Sequence, residues 1–538
     1  MADERRVLPR IGDWAAMRAG FRWQVPARFN IAERCCDSWA ARAPERLALT
    51  HLGADGTRRD WTYRQLKEAS DGLAASLRAR GVARGDRVAV LLPQSPEVLV
   101  THMAAYKLGA VLLPLFTLFG PDALRYRLAD SGARALVTDA ESLNKVMALR
   151  PDLPDLAEVY CTGAAAAPVR DFYGEIAAAQ AFRPVDTAAE DPALLIYTSG
   201  TTGDPKGVLH AHRFLLGHLP SMEAHHEGFP QPGDRGWTPA DWAWIGGLMD
   251  MAIPCLYYGV PQVSQDRRKF DPDAAFRLIR DEGLRTLFVP PTALKLMRQA
   301  TAPAGLAVRS VGSGGEALGA DLLDWGRAAL GAPINELYGQ TECNLVLASC
   351  HGSMVVRPGS MGQAVPGFEV GVIDRDGHEA APGEEGEIAV RRGTPVMFLR
   401  YWNKPEKTAE RFSGNWMRTG DLGRRDGDGY FWFSSRDDDV ITSSGYRIGP
   451  VEIENCLVGH PDVVMAAVVG VPDPVRTEAV KAFVVVRDGA APGLEAALIA
   501  RVRDRISPHV APRMVERVQA LPMTATGKIM RRALRERG

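Results

Sequence analysis

Leu194 to Gly207 reads LLIYTSGTTGDPKG. An apolar run, Leu194 to Tyr197, passes without interruption into hydroxyl residues and glycines and ends on Lys206 and Gly207. So short a run between turn-forming residues reads as a buried strand rather than a helix. The glycines Gly200 and Gly203 allow φ > 0 and close backbone approach, so successive amide N–H groups can converge on phosphate oxygens. Thr198, Ser199, Thr201 and Thr202 add hydroxyl donors, and Lys206 adds a movable positive charge. The spacing does not match the Walker pattern GxxxxGK[ST]: Val208 follows Gly207, then His210 and His212, with no hydroxyl placed for magnesium. A flexible linker would have no reason to sit directly on a buried strand. The stretch predicts a phosphate-cradling loop at a strand end.

The flanking sequence supplies the sheet. Tyr63 to Arg80 has helical spacing of Leu66, Leu73 and Leu77, and Gly81 suits its end. Arg87 to Leu92 reads as a strand, Pro96 to Leu108 as a helix and Ala110 to Pro114 as a strand. Ala123 to Asp130 and Ala135 to Thr138 repeat the pattern. Pro272 to Glu282 and Thr286 to Val289 show it again. Such alternation predicts an α/β fold of parallel sheets covered by helices. Residues 359–435 are turn-rich and β-rich, marked by Asp376-Gly377, Pro382-Gly383 and Asp428-Gly429. Beyond them Pro450 to Val458 and Leu494 to Ile506 read as helices. Val463 to Val471, Ala479 to Val486 and Met514 to Leu521 read as strands, and a basic helix ends the chain. The expectation is a large N-terminal domain over 1–436 with a β-rich subdomain, and a small mobile α+β domain over 437–538. The charged run Arg436 to Asp439 would join them.

Composition narrows the function. The 538 residues are 46% apolar and 24% charged, as in ordinary globular proteins. At a guide size of roughly 150 residues per domain, this is a multidomain chain. Lys+Arg is 64 against Asp+Glu 65, a net charge of -1. Such balance gives no general attraction to nucleic acid or an anionic membrane. The seven cysteines include no CxxC pair, so no zinc site or redox dithiol is expected, and a reducing cytoplasm fits. The N-terminal MADERRVLPRIGDW has no apolar signal core. The most apolar stretch, Val98 to Phe119, is broken by His102, Lys107 and Pro114, so no membrane span is expected.

YTSGTTGDPKG closely resembles the phosphate-loop signature of the acyl-adenylate-forming enzymes, the superfamily of acyl-CoA synthetases, insect luciferases and peptide-synthetase adenylation domains. Further motifs follow in the family's order: Gly314-Gly315-Glu316-Ala317, Tyr338-Gly339-Gln340-Thr341-Glu342, Arg418-Thr419-Gly420-Asp421, Ser435-Arg436-Asp437-Asp438, Ser444-Gly445-Tyr446-Arg447 and Thr526-Gly527-Lys528. The resemblance spans roughly residues 30–535. It implies ATP, Mg2+ and coenzyme A as cofactor and co-substrates. Thr198 to Gly203 and Lys206 would hold the phosphates, and Gly315, Glu316, Ala317 and Tyr338 the adenine, with Gly339 and Gln340 beside them. Thr341 would bond the α-phosphate, Glu342 would hold magnesium, and Asp421 and Arg436 would meet the ribose. Ser435 stands where many relatives have Gly or Asp. Lys528 would stabilise the transition state as the carboxylate attacks the α-phosphorus, with Thr198 and Glu342 in the same catalytic set. Its neighbours Arg531 and Arg532 read as solvated basic surface.

In such relatives the small domain turns between two half-reactions. Lys528 would leave, and Ser444, Gly445, Tyr446 and Arg447 would line the coenzyme A channel, with the hinge at Asp438 within one position. The acyl pocket is expected from Trp242, Ile245, Gly246, Met249, Gly314 and Gly339. Acetate-activating relatives carry tryptophan at the position of Gly339, so a glycine implies a deeper cavity and a tryptophan there would shorten it. The stretch 237–250 resembles medium-chain acyl-CoA synthetases and offers no basic residue for a second carboxylate. The expected reaction is ligation of a short- or medium-chain, branched or aromatic monocarboxylic acid to coenzyme A, releasing AMP and diphosphate. A carrier-loading adenylation enzyme and a catalytically silent nucleotide-binding protein are the alternatives. No nucleic-acid partner is expected, and a homodimer is left open.

Overall fold

The computed structural model describes residues 5–9, 12–178, 181–198, 204–266, 270–316, 318–436, 439–443, 446–473, 476–524 and 527–537, with backbone alone for Tyr446 and Arg447. Among these residues it is a mixed α/β fold with a large N-terminal domain and a C-terminal subdomain, built on four sheets. In the first, Pro192–Thr198, Val111–Pro114, Arg87–Leu91, Ala133–Thr138, Glu158–Cys161 and Arg170–Asp171 run parallel. Lys206–Ala211 and Arg400–Tyr401 complete it antiparallel. In the second, the parallel core is Leu47–Leu52, Gln262–Gln265, Gly236–Trp237, Thr286–Phe288, Ser310–Gly314 and Ile334–Gln340. Asn344–Ala348 folds back on it as a hairpin. These are the parallel sheets that the helix–strand alternation predicts.

Two helices show why the sheets pack. Tyr63–Ala79 starts at a capping box, in which the Thr62 hydroxyl accepts from the Gln65 amide and the Gln65 side chain accepts from the Thr62 amide. It buries Leu66, Leu73 and Leu77. Pro96–Leu108 is buried on every side, as expected of a helix with no solvent face. Its one fully enclosed cation, Lys107, lies 2.8 Å from Asp37 and 2.5 Å from Asp71. Paired that way, a lysine can sit inside an apolar helix. Among the described residues no helix is long and apolar enough to cross a membrane.

The third sheet is antiparallel: Val370–Ile373, Glu385–Arg391, Trp416–Arg425, Phe412–Ser413 and Phe431–Arg436. The fourth lies wholly in the C-terminal part: Tyr446–Ile448, Ile441–Ser443, Thr477–Val486, Val463–Asp473 and Met514–Arg517. It has its own apolar core around Ile453, Leu457, Val468 and Leu498. Two expectations are trimmed. The last strand stops at Arg517 instead of Leu521, and the terminal helix is only Arg531–Arg535.

Candidate active site

The carboxyl ends of three strands converge on one cleft, where open α/β sheets bind ligands. Pro192–Thr198 delivers the phosphate loop, Ser310–Gly314 delivers Gly315 and Glu316, and Ile334–Gln340 delivers Thr341 and Glu342. Thr198 pairs with Lys206 across the loop's base, and its Oγ1 lies 3.4 Å from the Lys206 carbonyl. Ser199, Gly200, Thr201, Thr202 and Gly203 lie outside the described residues, as do Ala317, Thr526, Asp437, Asp438, Ser444 and Gly445. The expected hinge residue and half of the expected coenzyme A segment therefore receive no structural account. Tyr446 and Arg447 are placed by backbone, in a strand paired with Ile441–Ser443.

The predicted nucleotide residues come together. Tyr338 donates to Asp421 Oδ2 at 2.7 Å, and Gln340 Nε2 reaches the same oxygen at 2.6 Å. Arg436 stands opposite Asp421 in the strand ladder and approaches its other oxygen at 3.4 Å. Burial raises the Asp421 carboxyl above its ordinary range, with Arg436 the strongest opposing influence. Ser435 is buried and faces Leu422 in the register, one step from this pair. Gly315 has φ +100, a backbone region that favours glycine. Glu316 is more than a helix-start acid: Thr292 Oγ1 lies 3.4 Å from it and Lys295 Nζ 3.6 Å. Thr341 sits half-buried in the turn, its backbone beside His210.

Glu342 accepts a 2.5 Å hydrogen bond from the Tyr401 hydroxyl, and Arg411 lies 3.7 Å away. Arg411 also donates to Gln340 Oε1 at 2.7 Å. Lys206 Nζ stands 5.2 Å above the Tyr401 ring. Its ammonium is lowered, first by desolvation and then by Arg411. Arg411 and Tyr401 are site residues that the sequence reading misses. Both lie in the polar stretch 400–411, RYWNKPEKTAER, where nothing sets them apart from their neighbours, and they reach the cleft only through tertiary packing. A single carboxylate suits a magnesium ion held mainly by phosphate oxygens. The described residues' one cluster of three close ligand groups, Asp374, Asp376 and His378, lies on the exposed surface.

Lys528 enters the cleft from the C-terminal subdomain. A β-carbon built on Gly315 would lie 3.9 Å from Lys528 Cε. The turn carrying it is closed by Lys528 N to Thr524 Oγ1 at 3.0 Å and by the bridge from Met523 to Ile529. It is tied to the large domain by Thr292 Oγ1 to the Gly527 carbonyl at 3.2 Å. Lys528 keeps solvent-exposed surface, yet crowding by site atoms lowers its ammonium below the ordinary lysine value. Desolvation is the largest cause, opposed chiefly by Asp421. Arg531 overturns the expectation of solvated surface. It is largely enclosed and bonds Glu454 at 2.8 and 2.9 Å and Asp439 at 3.4 Å. Arg532 is exposed, as expected, and pairs with Glu536 at 3.0 Å.

The expected acyl-pocket residues Trp242, Ile245, Gly246 and Met249 are buried on one segment. Trp244, which the sequence reading leaves out, covers Gly246: a β-carbon there would lie 2.8 Å from its ring. The expectation for Gly339 is corrected. A β-carbon at Gly339 would sit 1.5 Å from the Asn344 carbonyl oxygen, and one at Gly314 2.7 Å from that of Leu337. Both glycines exist because neighbouring backbone presses on them, so a tryptophan at 339 has no cavity to fill here. A separate cavity of about 370 Å³ opens beside the Lys528 turn, between Trp244, Leu118, Phe270, Leu296, Thr524 and Gly527.

Comparison with known proteins agrees with this geometry. The family description "AMP-binding enzyme" matches residues 36–402, and "AMP-binding enzyme C-terminal domain" matches residues 452–528. The chain is 36% identical to the acyl-coenzyme A synthetase ACSM2, mitochondrial, of Rattus norvegicus, over 95% of this chain and 92% of that one. It is 34% identical to the acetyl-coenzyme A synthetase of Bacillus subtilis (strain 168), over 97% of this chain and 93% of that one. The crystal structure of ATP-bound MatB from Rhodopseudomonas palustris superposes with a TM-score of 0.83 at 30% identity, covering 94% of this chain and 98% of that one. The two family matches, which together take in Lys206, Glu342 and Lys528, and the 36% identity over nearly the whole chain place it in the AMP-binding enzyme family, as an adenylate-forming enzyme of the acyl-CoA synthetase kind.

Proposed function

We propose that the enzyme joins a short- or medium-chain, branched or aromatic monocarboxylic acid to coenzyme A, with ATP converted to AMP and diphosphate through an acyl-AMP intermediate. The observation that carries this reading is Lys528 beside Gly315, close enough to Asp421, Glu316 and Glu342 to feel their charges. The acid's carboxylate and the α-phosphate oxygens repel one another. Lys528 stands where a positive charge offsets the charge that builds as they meet. Lys206 and the phosphate loop would hold the leaving diphosphate. Asp421, Tyr338, Gln340 and Arg436 would fix the nucleoside, and Thr341 the α-phosphate. Glu342 would hold Mg2+, which when bound screens the triphosphate charge. Arg411 keeps Glu342 and Gln340 in register.

For the second step the small domain would turn, withdrawing Lys528 and bringing the 444–447 segment to the cleft. The domain limits 1–436 and 437–538 and a hinge at Asp438 belong to this proposal. The test is AMP release with a panel of acids, with and without coenzyme A. AMP release that depends on both supports the reading; diphosphate release never exceeding background with any acid overturns it.

A further inference from the structure

The phosphate loop leaves strand Pro192–Thr198 at Thr198 and returns at Lys206, the first residue of strand Lys206–Ala211. Helix Pro121–Ser131 braces both ends of it. On the returning side, Tyr126 donates its hydroxyl to the Pro205 carbonyl at 3.1 Å. On the departing side, the Tyr197 hydroxyl donates to Asp130 Oδ2 at 2.5 Å. Tyr126 and Asp130 are four positions apart, so they share one face of the helix. The rings of Tyr126 and Tyr197 meet edge to face, with centroids 6.3 Å apart and planes at 86°, an arrangement that aromatic pairs favour.

Asp130 also holds a third segment. It lies in the last turn of its helix, where backbone carbonyls lack intrahelical partners. Its carbonyl accepts from Trp402 Nε1 and from Asn403 Nδ2, each at 3.0 Å. Those two residues directly follow Tyr401, whose hydroxyl bonds Glu342 at 2.5 Å. The Trp402 amide donates to the Gly207 carbonyl at 2.7 Å, one residue past Lys206. Asp130 therefore ties the start of the phosphate loop, through its carboxylate, to the segment that steadies Glu342, through its backbone. An acid in this turn faces the negative end of the helix dipole. A local preference broken in this way marks a tertiary demand.

We infer that Asp130, with Tyr126, is a positioning residue for the triphosphate: it keeps the two ends of the phosphate loop in register with Glu342, so that ATP and its magnesium ion meet a site already assembled. The inference rests on the nucleotide part of the ligase reading and adds to it two residues that stand outside the motifs of the cleft. Neither side chain needs to touch the substrate. Both act through groups that do, the loop on one side and Glu342 on the other. Placement of this kind matters because a shift of about 1 Å at a reacting group costs on the order of 10²-fold in rate.

The experiment measures binding of ATP with magnesium, and of AMP, by titration calorimetry in the full chain. The variants are Asp130→Ala, Tyr197→Phe, the two combined, and Tyr126→Phe. Asp130→Ala keeps the backbone carbonyl and removes only the carboxylate. It and Tyr197→Phe should each weaken ATP binding about tenfold, as expected for loss of one hydrogen bond to a charged group. The combined variant should lose little more than either alone, since both changes break the same bond. Tyr126→Phe should weaken ATP binding in the same direction. AMP has no β- or γ-phosphate, so its binding should stay near the wild-type value throughout. Unchanged ATP binding, equal weakening of ATP and AMP, or additive losses in the combined variant overturns the inference. If Asp130→Ala does not fold, Tyr197→Phe and Tyr126→Phe decide by the same ratio of ATP to AMP. A wild type that binds ATP but releases diphosphate with no acid would sink the ligase reading, and the binding ratios would still decide this one.

Discussion

The Tyr338 hydroxyl lies 2.7 Å from Asp421 Oδ2, joining a strand of the second sheet to a strand of the third. That bond and the one from Gln340 hold a buried carboxylate in place with no ligand bound. Tyr338→Phe removes a donor to a buried acid, at a cost of about 1–3 kcal/mol. The expected outcome is a raised KM for ATP with the KM for the acid little changed. An unaltered ATP KM would separate Asp421 from nucleotide binding.

Lys528→Ala should slow acyl-AMP formation by roughly 10²–10³. Thioester formation from supplied acyl-AMP should survive. Both half-reactions are measured on the same purified protein, and equal loss in the two contradicts the proposed withdrawal of Lys528.

Glu336 gives a pH signature of folding. It is buried, accepts from Leu318 N at 3.2 Å, and burial lifts its carboxyl from 4.5 to about 8. Between those values the folded chain keeps a proton that the unfolded chain has released. Its stabilising contribution is therefore complete below the unfolded value and lost as pH rises through the folded one. Wild type should lose more melting temperature than Glu336→Gln between about pH 5 and pH 8. Parallel curves for the two proteins would refute the assignment.

Gly339→Trp tests the corrected pocket. Since a β-carbon there meets the Asn344 carbonyl at 1.5 Å, the hairpin must shift, at a cost above the roughly 1–3 kcal/mol of ordinary overpacking. The measurement is thermal unfolding beside an acid-preference profile. A variant with native melting temperature and a new preference for acetate would show that the side chain does enter the pocket.

Local periodicity made much of the fold legible. Tyr63–Ala79, Arg87–Leu91 and Pro96–Leu108 match their sequence spacing closely, because burial of one face or of all faces is written into neighbouring residues. The residues proposed to meet the nucleotide stand in ordered motifs, and Tyr338, Gln340, Asp421 and Arg436 come together in the structure. Arg411 was not, because its partners Gln340 and Glu342 are about 70 positions away in sequence. Arg531 misled for the same reason: a basic cluster looks solvated until Glu454 and Asp439 are found against it. Gly339 shows a different gap. Its identity was plain, but the direction its side chain would take depends on a register shift between Tyr338 and Gly339 in the hairpin.

Asp439 is gripped by Arg531 and, at 2.8 Å, by Arg535, both on the last helix. If the small domain turns as proposed, a swivel centred on Asp439 would tear two guanidinium groups from its carboxylate, whereas one placed earlier in the chain would disturb neither. The clasp would then carry the turn straight to Lys528, three residues before Arg531.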